Sequence, residues 1–445
     1  MRSWPTAVAA LIIPPVLVLG SSTSVRAEDE HSLLNLPADE AAVRLSAANV
    51  GKDIEPRGDL TLADALAAAL SGSPELAAYS WGLRAKDAEV LQAGKRPNPE
   101  LLISNENLIG SGYFGNREQY QNTLQLSQLV ELGGKRERRT KAAERARDRA
   151  GVEQELRRVE LFAGTTVDFV AVVADQEGAA IAREATRHAE AMLRSVRERI
   201  KAGSGSRFEE VRAIVAVRRA GVDEDHAGHE LLTSRRNLAA RWGSKLPQFT
   251  RATGDLFSAG ELPSFEALAA RLGSAPERRA AGAEERLRAA AAALARTKRV
   301  PDIGVGLGWR QGRDWGDQTA VAELTVPLTV FNRFEGEIAA ADALTAGASA
   351  ETAAVEVRLE RVLFALYQEL RHARDEMAAM RDEIVPRSEE ALALARKGYA
   401  EGFLSQLELI DAQAKLTEVR RERLRAAKTY HQLVAEVERL LGERL

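Results

Sequence analysis

The chain has 445 residues, a formal net charge of −3, no cysteine, 29% charged residues and 5% aromatic residues. That length admits one large domain or two smaller ones, and a composition led by Ala, Leu, Glu and Arg is that of long helices rather than of a compact mixed domain. The slightly negative balance argues against a nucleic-acid partner, and the lack of cysteine excludes disulfides and a thioether-linked lipid.

The opening MRSWPTAVAALIIPPVLVLGSSTSVRAEDE reads as a targeting segment over residues 1–27. Arg2 supplies the positive start and Ala7 to Gly20 the apolar run. Val25-Arg26-Ala27 is an A-x-A-like site, which predicts cleavage after Ala27. The run is short for a spanning helix and is broken by Pro14 and Pro15; an N-terminal anchor is the other reading. Removing Arg2 and Arg26 takes the net charge from −3 to −3 − 2 = −5. Residues 28–59 form an extension with no readable role. Beyond them no stretch reaches the roughly 18–20 apolar residues of a spanning helix. The mature chain is therefore either soluble or crosses a membrane as a barrel.

From residue 60 the sequence is duplicated: a first repeat at 60–243, a connecting segment at 244–262 and a second repeat at 263–445. Each reads helix, strand, strand, long helix, turn, helix. The first helical runs are LADALAAALSGSPELAAYSWGLRAKDAEVLQAG and FEALAARLGSAPERRAAGAEERLRAAAAALAR, followed by Lys95 to Pro99 and by Lys298 to Pro301. PDIGVGLGWRQ then places Ile303, Val305, Leu307 and Trp309 on one face, and Asp302, Gly304, Gly306 and Gly308 on the other. AVAELTVPLTV sets Ala322, Leu324, Val326 and Leu328 against Glu323, Thr325 and Pro327. In the first repeat Leu124, Leu126 and Leu129 lie near Gln125, Ser127 and Gln128, and LLISNEN alternates more weakly. Runs of about ten residues suit tilted membrane strands with apolar residues outward and polar residues inward. A half-buried strand of a soluble sheet is the alternative. The connections, roughly 109–119 and 312–318, read as exposed tips. Four strands cannot close, because the smallest membrane barrels have about eight and lipid does not tolerate open sheet edges. Two copies would give eight strands and three would give twelve.

Long helices follow, from Arg136 to about Lys201 and from Glu335 to about Gly398, with Pro386 predicted to bend the second. Each ends at a glycine-containing break, KAGSGSRFEEVRAIVA (Lys201 to Ala216) and KGYAEGFLSQLELIDAQ (Lys397 to Gln413). The helices after the breaks close at Trp242-Gly243 and Leu441-Gly442. The last carries a coiled-coil stripe of Leu416, Val419, Ala426 or Ala427, Tyr430, Leu433 or Val434, Val437, and Leu440 or Leu441. Behind the second break Glu408 and Asp411 share one helix face. On spacing alone they could be a solvated face.

In SNENLIGSG (Ser104 to Gly112), LSQLVELGGKRERR (Leu126 to Arg139), VFNRFEGEIAAA (Val330 to Ala341) and GYAEGFLSQLELIDAQ, the chain resembles outer-membrane efflux proteins of the TolC kind. Within them it is most similar to the CzcC-like channel subunits of heavy-metal efflux systems. The resemblance covers Leu60 to Leu445. It implies a mainly α fold with a membrane β-barrel: a homotrimer, a twelve-stranded outer-membrane barrel of four strands per chain, and a long α-helical coiled-coil tunnel in the periplasm of a Gram-negative cell. It implies a periplasmic adaptor and a proton-driven inner-membrane RND pump as partners. Relatives often carry a lipidated N-terminal cysteine; this chain has none.

The resemblance also implies a periplasmic gate. Family tip acids match Glu408 and Asp411, with Glu209 and Arg212 at the corresponding places of the first repeat. Three chains would gather six carboxylates, favouring cations and raising one another's pKa values. Tyr399 matches a position whose hydroxyl ties neighbouring helices. Gly203, Ser204, Gly205 and Ser206, with Gly402, Phe403, Leu404 and Ser405, match the turns that meet the adaptor. Leu404 stands where relatives often have a basic residue. Among other groups, His226 and His229 in DEDHAGHE are weak metal candidates lacking a closed ligand set. Met192, Met377 and Met380 are scattered. No nucleophile–His pair, phosphate loop or dinucleotide fingerprint points to an enzyme or a cofactor. The same fold could instead carry drugs, solvents or secreted protein. A soluble periplasmic coiled-coil scaffold is the rival from another class.

Overall fold

A computed structural model describes residues 55–108, 120–312 and 318–445. The targeting segment and most of residues 28–59, and nearly all of both predicted strand connections, lie outside the described residues. The duplicated order is present. The first repeat contains α1 (Leu62–Gly72), α2 (Pro74–Ala93), β2 (Glu100–Glu106), β3 (Gln121–Val130), α3 (Lys135–Lys201) and α4 (Arg207–Ala240), preceded by a short β1 (Gly58–Leu60). After β4 (Phe249–Ala252) come α5 (Phe265–Ala269), a 3-10 turn (Ala270–Ser274), α6 (Pro276–Thr297), β5 (Ile303–Gly312) and β6 (Gln318–Thr325). The second long helix follows as α7 (Glu335–Ala379), a π turn (Met380–Ile384) and α8 (Val385–Ala400), then α9 (Gln406–Leu441).

The first helical run of each repeat is two pieces, not one. Ser73 accepts from the Leu76 amide at 3.3 Å and Pro74 opens the next helix. A proline at the first helical position loses no bond, because that amide has no helical partner. The second repeat breaks at Ala275-Pro276, again with proline at the first helical position but after a 3-10 turn and without a side-chain cap. The second long helix is also interrupted. Pro386 cannot donate to the carbonyl four residues back and its ring crowds it; the chain answers with the π turn immediately before, widening the helix by one residue.

Four strands form one antiparallel sheet in the order β2-β3-β5-β6. The register stacks Leu101, Leu126, Leu307 and Ala322 in one row, and Ile103, Leu124, Trp309 and Ala320 in the next. These rows share a face, and most of their large apolar side chains are exposed. The other face carries Thr123, Gln125, Ser127, Glu323 and Thr325, with the Gly304, Gly306 and Gly308 positions of β5 between them. Leu129 falls on this polar face and Gln128 on the apolar one, because the β3–β5 register runs unbroken to Val130. The last strand ends at Thr325 rather than continuing through Leu328; Pro327 lacks an amide, and among the described residues β6 pairs with β5 alone. Among the described residues the outer edges of β2 and β6 are open. Among the described residues no helix is long and apolar enough to cross a membrane.

α3 has 67 residues, about 100 Å at 1.5 Å per residue. One apolar core joins both repeats, with Phe169, Val172 and Leu238 from the first and Leu359, Leu363, Leu370 and Val437 from the second. Of the stripe predicted on α9, Leu416, Val419, Ala426, Ala427, Tyr430, Val437, Leu440 and Leu441 are buried. β1 pairs in parallel with β4, so the segment ahead of α1 is tied to the connection between repeats. Trp242 reinforces this, donating to Glu55 at 3.0 Å and meeting Phe249 edge-on.

Candidate functional site

Both glycine breaks are the same local device. In the first, Gly203 takes φ 77°, its amide bonds to the Ile200 carbonyl at 3.0 Å, and the Ser204 amide bonds to the Arg199 carbonyl at 2.9 Å. In the second, Gly402 takes φ 80°, its amide bonds to the Tyr399 carbonyl at 3.2 Å, and the Phe403 amide bonds to the Gly398 carbonyl at 2.8 Å. These bonds close the last carbonyls of the descending helix, and the left-handed backbone makes glycine the natural residue. The ascending helices then start with reciprocal caps. Ser206 receives the Glu209 amide and gives its own amide to Glu209 at 2.9 Å; Ser405 and Glu408 do the same, with the Ser405 amide at 2.7 Å.

Glu408 and Glu209 therefore have a local structural job. The Ser405 amide, then the Ser405 hydroxyl, hold the Glu408 carboxyl below the usual carboxylate range. This is opposite to the like-charge rise expected from crowding several chains; any such rise has to overcome the cap.

The two turns are joined by a residue that sequence reasoning missed. Arg199 donates to the Tyr399 hydroxyl at 2.6 Å and lies over its ring, 5.4 Å from the centroid. The Tyr399 hydrogen bond raises the Arg199 pKa. A second guanidinium nitrogen holds the Ser204 carbonyl at 3.2 Å. Packing at the two turns is reciprocal. Gly398 leaves the space that Leu404 fills, while Gly205 sits against Ile200. A separate small core of Met192, Val196, Ala213, Leu392, Ala395, Leu409 and Leu416 unites the four helices behind the turns.

Asp411 and Arg212 line one groove of about 1030 Å³ between the two helix pairs, at the matching position after each cap. Arg212 stacks 5.7 Å from the Phe208 ring centroid. Further along the groove Arg420 links Glu184 and Glu389 at 3.1 Å each, and Arg421 pairs with Asp223 at 3.1 Å. The Arg420–Glu184 and Arg421–Asp223 pairs join the repeats by charge. Phe208, Phe403 and Leu407 are exposed beside the turns. His226 pairs with Glu230 at 3.4 Å on an exposed face of α4, and among the described residues no group of three or more His, Asp or Glu is arranged to hold a metal ion.

At the other end, the ELGGKR run forms the elbow between β3 and α3. Lys135 meets Asp302 at 2.7 Å, Asp302 also accepts the Leu132 amide at 3.0 Å, and Gly133 is close against Val300. Arg139 binds Glu131 and reaches the carbonyls of Ala93 and Lys95. On the polar sheet face Gln125 passes over Gly306 to hydrogen-bond Glu323.

The profile of the outer membrane efflux protein family matches residues 65–244 and again 268–443. The cobalt-zinc-cadmium resistance protein CzcC of Cupriavidus metallidurans is 29% identical over 388 residues, covering 87% of this chain and 91% of that protein. The nickel-cobalt-cadmium resistance protein NccC of Alcaligenes xylosoxydans xylosoxydans is 27% identical over 282 residues, 63% of each chain. Among solved structures, a membrane protein from Pseudomonas aeruginosa superposes with a TM-score of 0.74 at 19% identity, over 86% of this chain and 92% of that one. The outer membrane protein VceC of Vibrio cholerae gives 0.71 at 17% identity, over 86% and 96%. With the profile matched once by each repeat, the chain belongs to the outer membrane efflux protein family.

Proposed function

We propose that the chain is the outer-membrane exit channel of a tripartite pump for divalent heavy-metal cations of the cobalt, zinc, cadmium and nickel class. It works as a homotrimer, with a periplasmic adaptor at the helical turns and an inner-membrane RND pump beneath. The observation that carries the channel reading is the four-stranded sheet with apolar residues on one face, polar residues on the other, and both edges open. Such a sheet is stable in lipid only when copies complete the ring. The cargo rests on the two resistance proteins named above, whose names specify these metals.

In this reading the N-terminal segment directs export and is removed after Ala27. The turns form the gate. Glu408, Asp411 and Glu209 make it attractive to cations, Arg212 offers them a counter-charge, and Tyr399 holds the closed position. Adaptor contact at Gly203–Ser206 and Gly402–Ser405 biases opening. No covalent chemistry is involved; the cation passes through.

The test is a deletion strain exposed to Co²⁺, Zn²⁺, Cd²⁺ and Ni²⁺, and separately to drugs and solvents. Metal sensitivity restored by the intact gene supports the proposal. Sensitivity to drugs alone would remove the metal assignment, and release of the protein by osmotic shock would remove the channel.

A further inference from the structure

The internal duplication identifies what belongs on the two open sheet edges. Two landmarks fix the step between repeats. Gly134 and Phe334 each stand at the N-cap of a long helix with positive φ, 72° and 62°, a step of 334 − 134 = 200. Pro99 and Pro301 each lead into the first strand of a hairpin, a step of 301 − 99 = 202. Applied together, these steps turn the observed pair Leu102–Gln125 into Gly304–Thr325, and Glu106–Gln121 into Gly308–Val321. Both products are themselves observed pairs, so the hairpin β2–β3 maps in register onto β5–β6.

The same steps carry the β3–β5 junction to the outer edges. β3 becomes β6 and β5 becomes β2, and a second copy of the chain must supply one of them. Gln128–Val305 becomes Leu328–Ile103, and Val130–Ile303 becomes Val330–Leu101. In the channel reading above, β6 meets β2 of a second copy; resting on that reading, we propose the register of this seam, in which β6 with its extension 326–330 runs antiparallel to β2. Leu328 then lies opposite Ile103 of the partner subunit, and Val330 opposite Leu101 of the partner subunit.

Three observations support this register. First, Leu328, Val330, Leu101 and Ile103 are 79%, 59%, 64% and 66% exposed in one chain. The register places all four on the apolar face, where cross-strand pairs stabilise a sheet. Second, residues 128–130 of β3 are held by β5 alone, since pairing with β2 stops at Ser127. Their equivalents 328–330 lack that partner, and β6 stops at Thr325.

Third, the elbow changes its chemistry to suit. Lys135 and Asp302, an ion pair within the chain, map to Glu335 and Glu100; Gly133, packed on Val300, maps to Arg333 facing Asn98. A cation–anion pair has become two acids, and the glycine between them has become the cation. Arg333 is exposed and makes no ion pair with the described residues of its own chain, while its amide already holds Glu335 at 3.2 Å. At the seam, Arg333 bridges its own Glu335 and Glu100 of the partner subunit.

The chain has no cysteine, so disulfide mapping is direct. Directly opposed residues place their Cβ atoms about 4.5–5.5 Å apart, near the reach of a disulfide. Within one chain β2 and β6 are three strand spacings apart, about 14 Å, so any bond must join copies. Leu328→Cys with Ile103→Cys, oxidised in isolated outer membranes, is expected to shift the one-chain band on denaturing gels to a closed three-chain band. Leu328→Cys with Leu101→Cys, two positions out of register, is expected to remain largely one-chain. Cross-linking of the second pair but not the first, or of neither in protein that is trimeric in the outer membrane, overturns the seam and leaves the channel intact. Absence of the protein from outer membranes overturns both. Arg333→Glu should lower the temperature at which trimers dissociate, and Glu100→Arg added to it should restore that temperature. Failure of the rescue removes the Arg333–Glu100 contact.

Discussion

Arg199 reaches the Tyr399 hydroxyl at 2.6 Å across 200 positions of sequence, joining the glycine turn of one repeat to the last helical turn before the other. Hydrogen bonds with one charged partner are worth about 1.5–3 kcal/mol when shielded and less where water competes. Tyr399→Phe keeps the stacked ring and loses only the hydroxyl; Arg199→Ala loses both. In planar bilayers both variants should raise the open fraction, Arg199→Ala more strongly. An unchanged open fraction in Arg199→Ala would show that this tie does not hold the turn closed.

Glu408 tests whether the caps matter to the tip. Its folded pKa is lowered by the Ser405 amide and hydroxyl. The stabilisation is therefore present above the unfolded carboxylate pKa and is lost as pH falls through the folded value. Protection of the first turn of α9 from hydrogen exchange, corrected for the intrinsic pH dependence of exchange, should fall on acidification. Ser405→Ala should lower it already at neutral pH, with a cost of about 1 kcal/mol for the lost cap, while Glu408→Gln, which cannot titrate, should remove the acid response. A full acid response in Glu408→Gln would place the titrating group elsewhere.

Double replacement of Glu408 and Asp411 by alanine should reduce cation preference and change conductance in planar bilayers. Ser405→Ala, which weakens the same cap and keeps both acids, controls for loss of local structure. If the double variant behaves as the parent protein does, the acids are an ordinary hydrated face.

Leu363 and Leu370 are fully buried where the repeats meet. Either changed to alanine should cost about 2–5 kcal/mol, read as a lower thermal midpoint in detergent. Leu363→Met should cost less than about 1.5 kcal/mol. Equal loss from both changes would mean that cavity formation is not what the site resists.

Much of this architecture was legible because its signals are local. A serine three residues before a glutamate, following a glycine, marks each turn whatever surrounds it. Strict alternation in β5 set its faces from sequence. Ser73-Pro74 also carried a legible break, but the apolar run on both sides masked it. Arg199 was not legible. It is one arginine among many on α3, and only the return of α8 brings Tyr399 to it. The face of Leu129 was not legible either, because ladder continuity, not hydrophobicity, decides it. β1 and β4 are three and four residues long, too short to show a period.

The π turn before Pro386 has an angular consequence. One surplus residue in a helix advances every later side chain by about 100° around the axis. Tyr399 lies beyond that slip, so its azimuth, and with it its aim at Arg199, is set about fifteen residues upstream. Deleting one residue between Met380 and Ile384 while replacing Pro386 by alanine would wind the helix back into phase and swing the tyrosine away from its partner. In the gate proposed above, the proline would set the rotational phase at which Tyr399 meets Arg199.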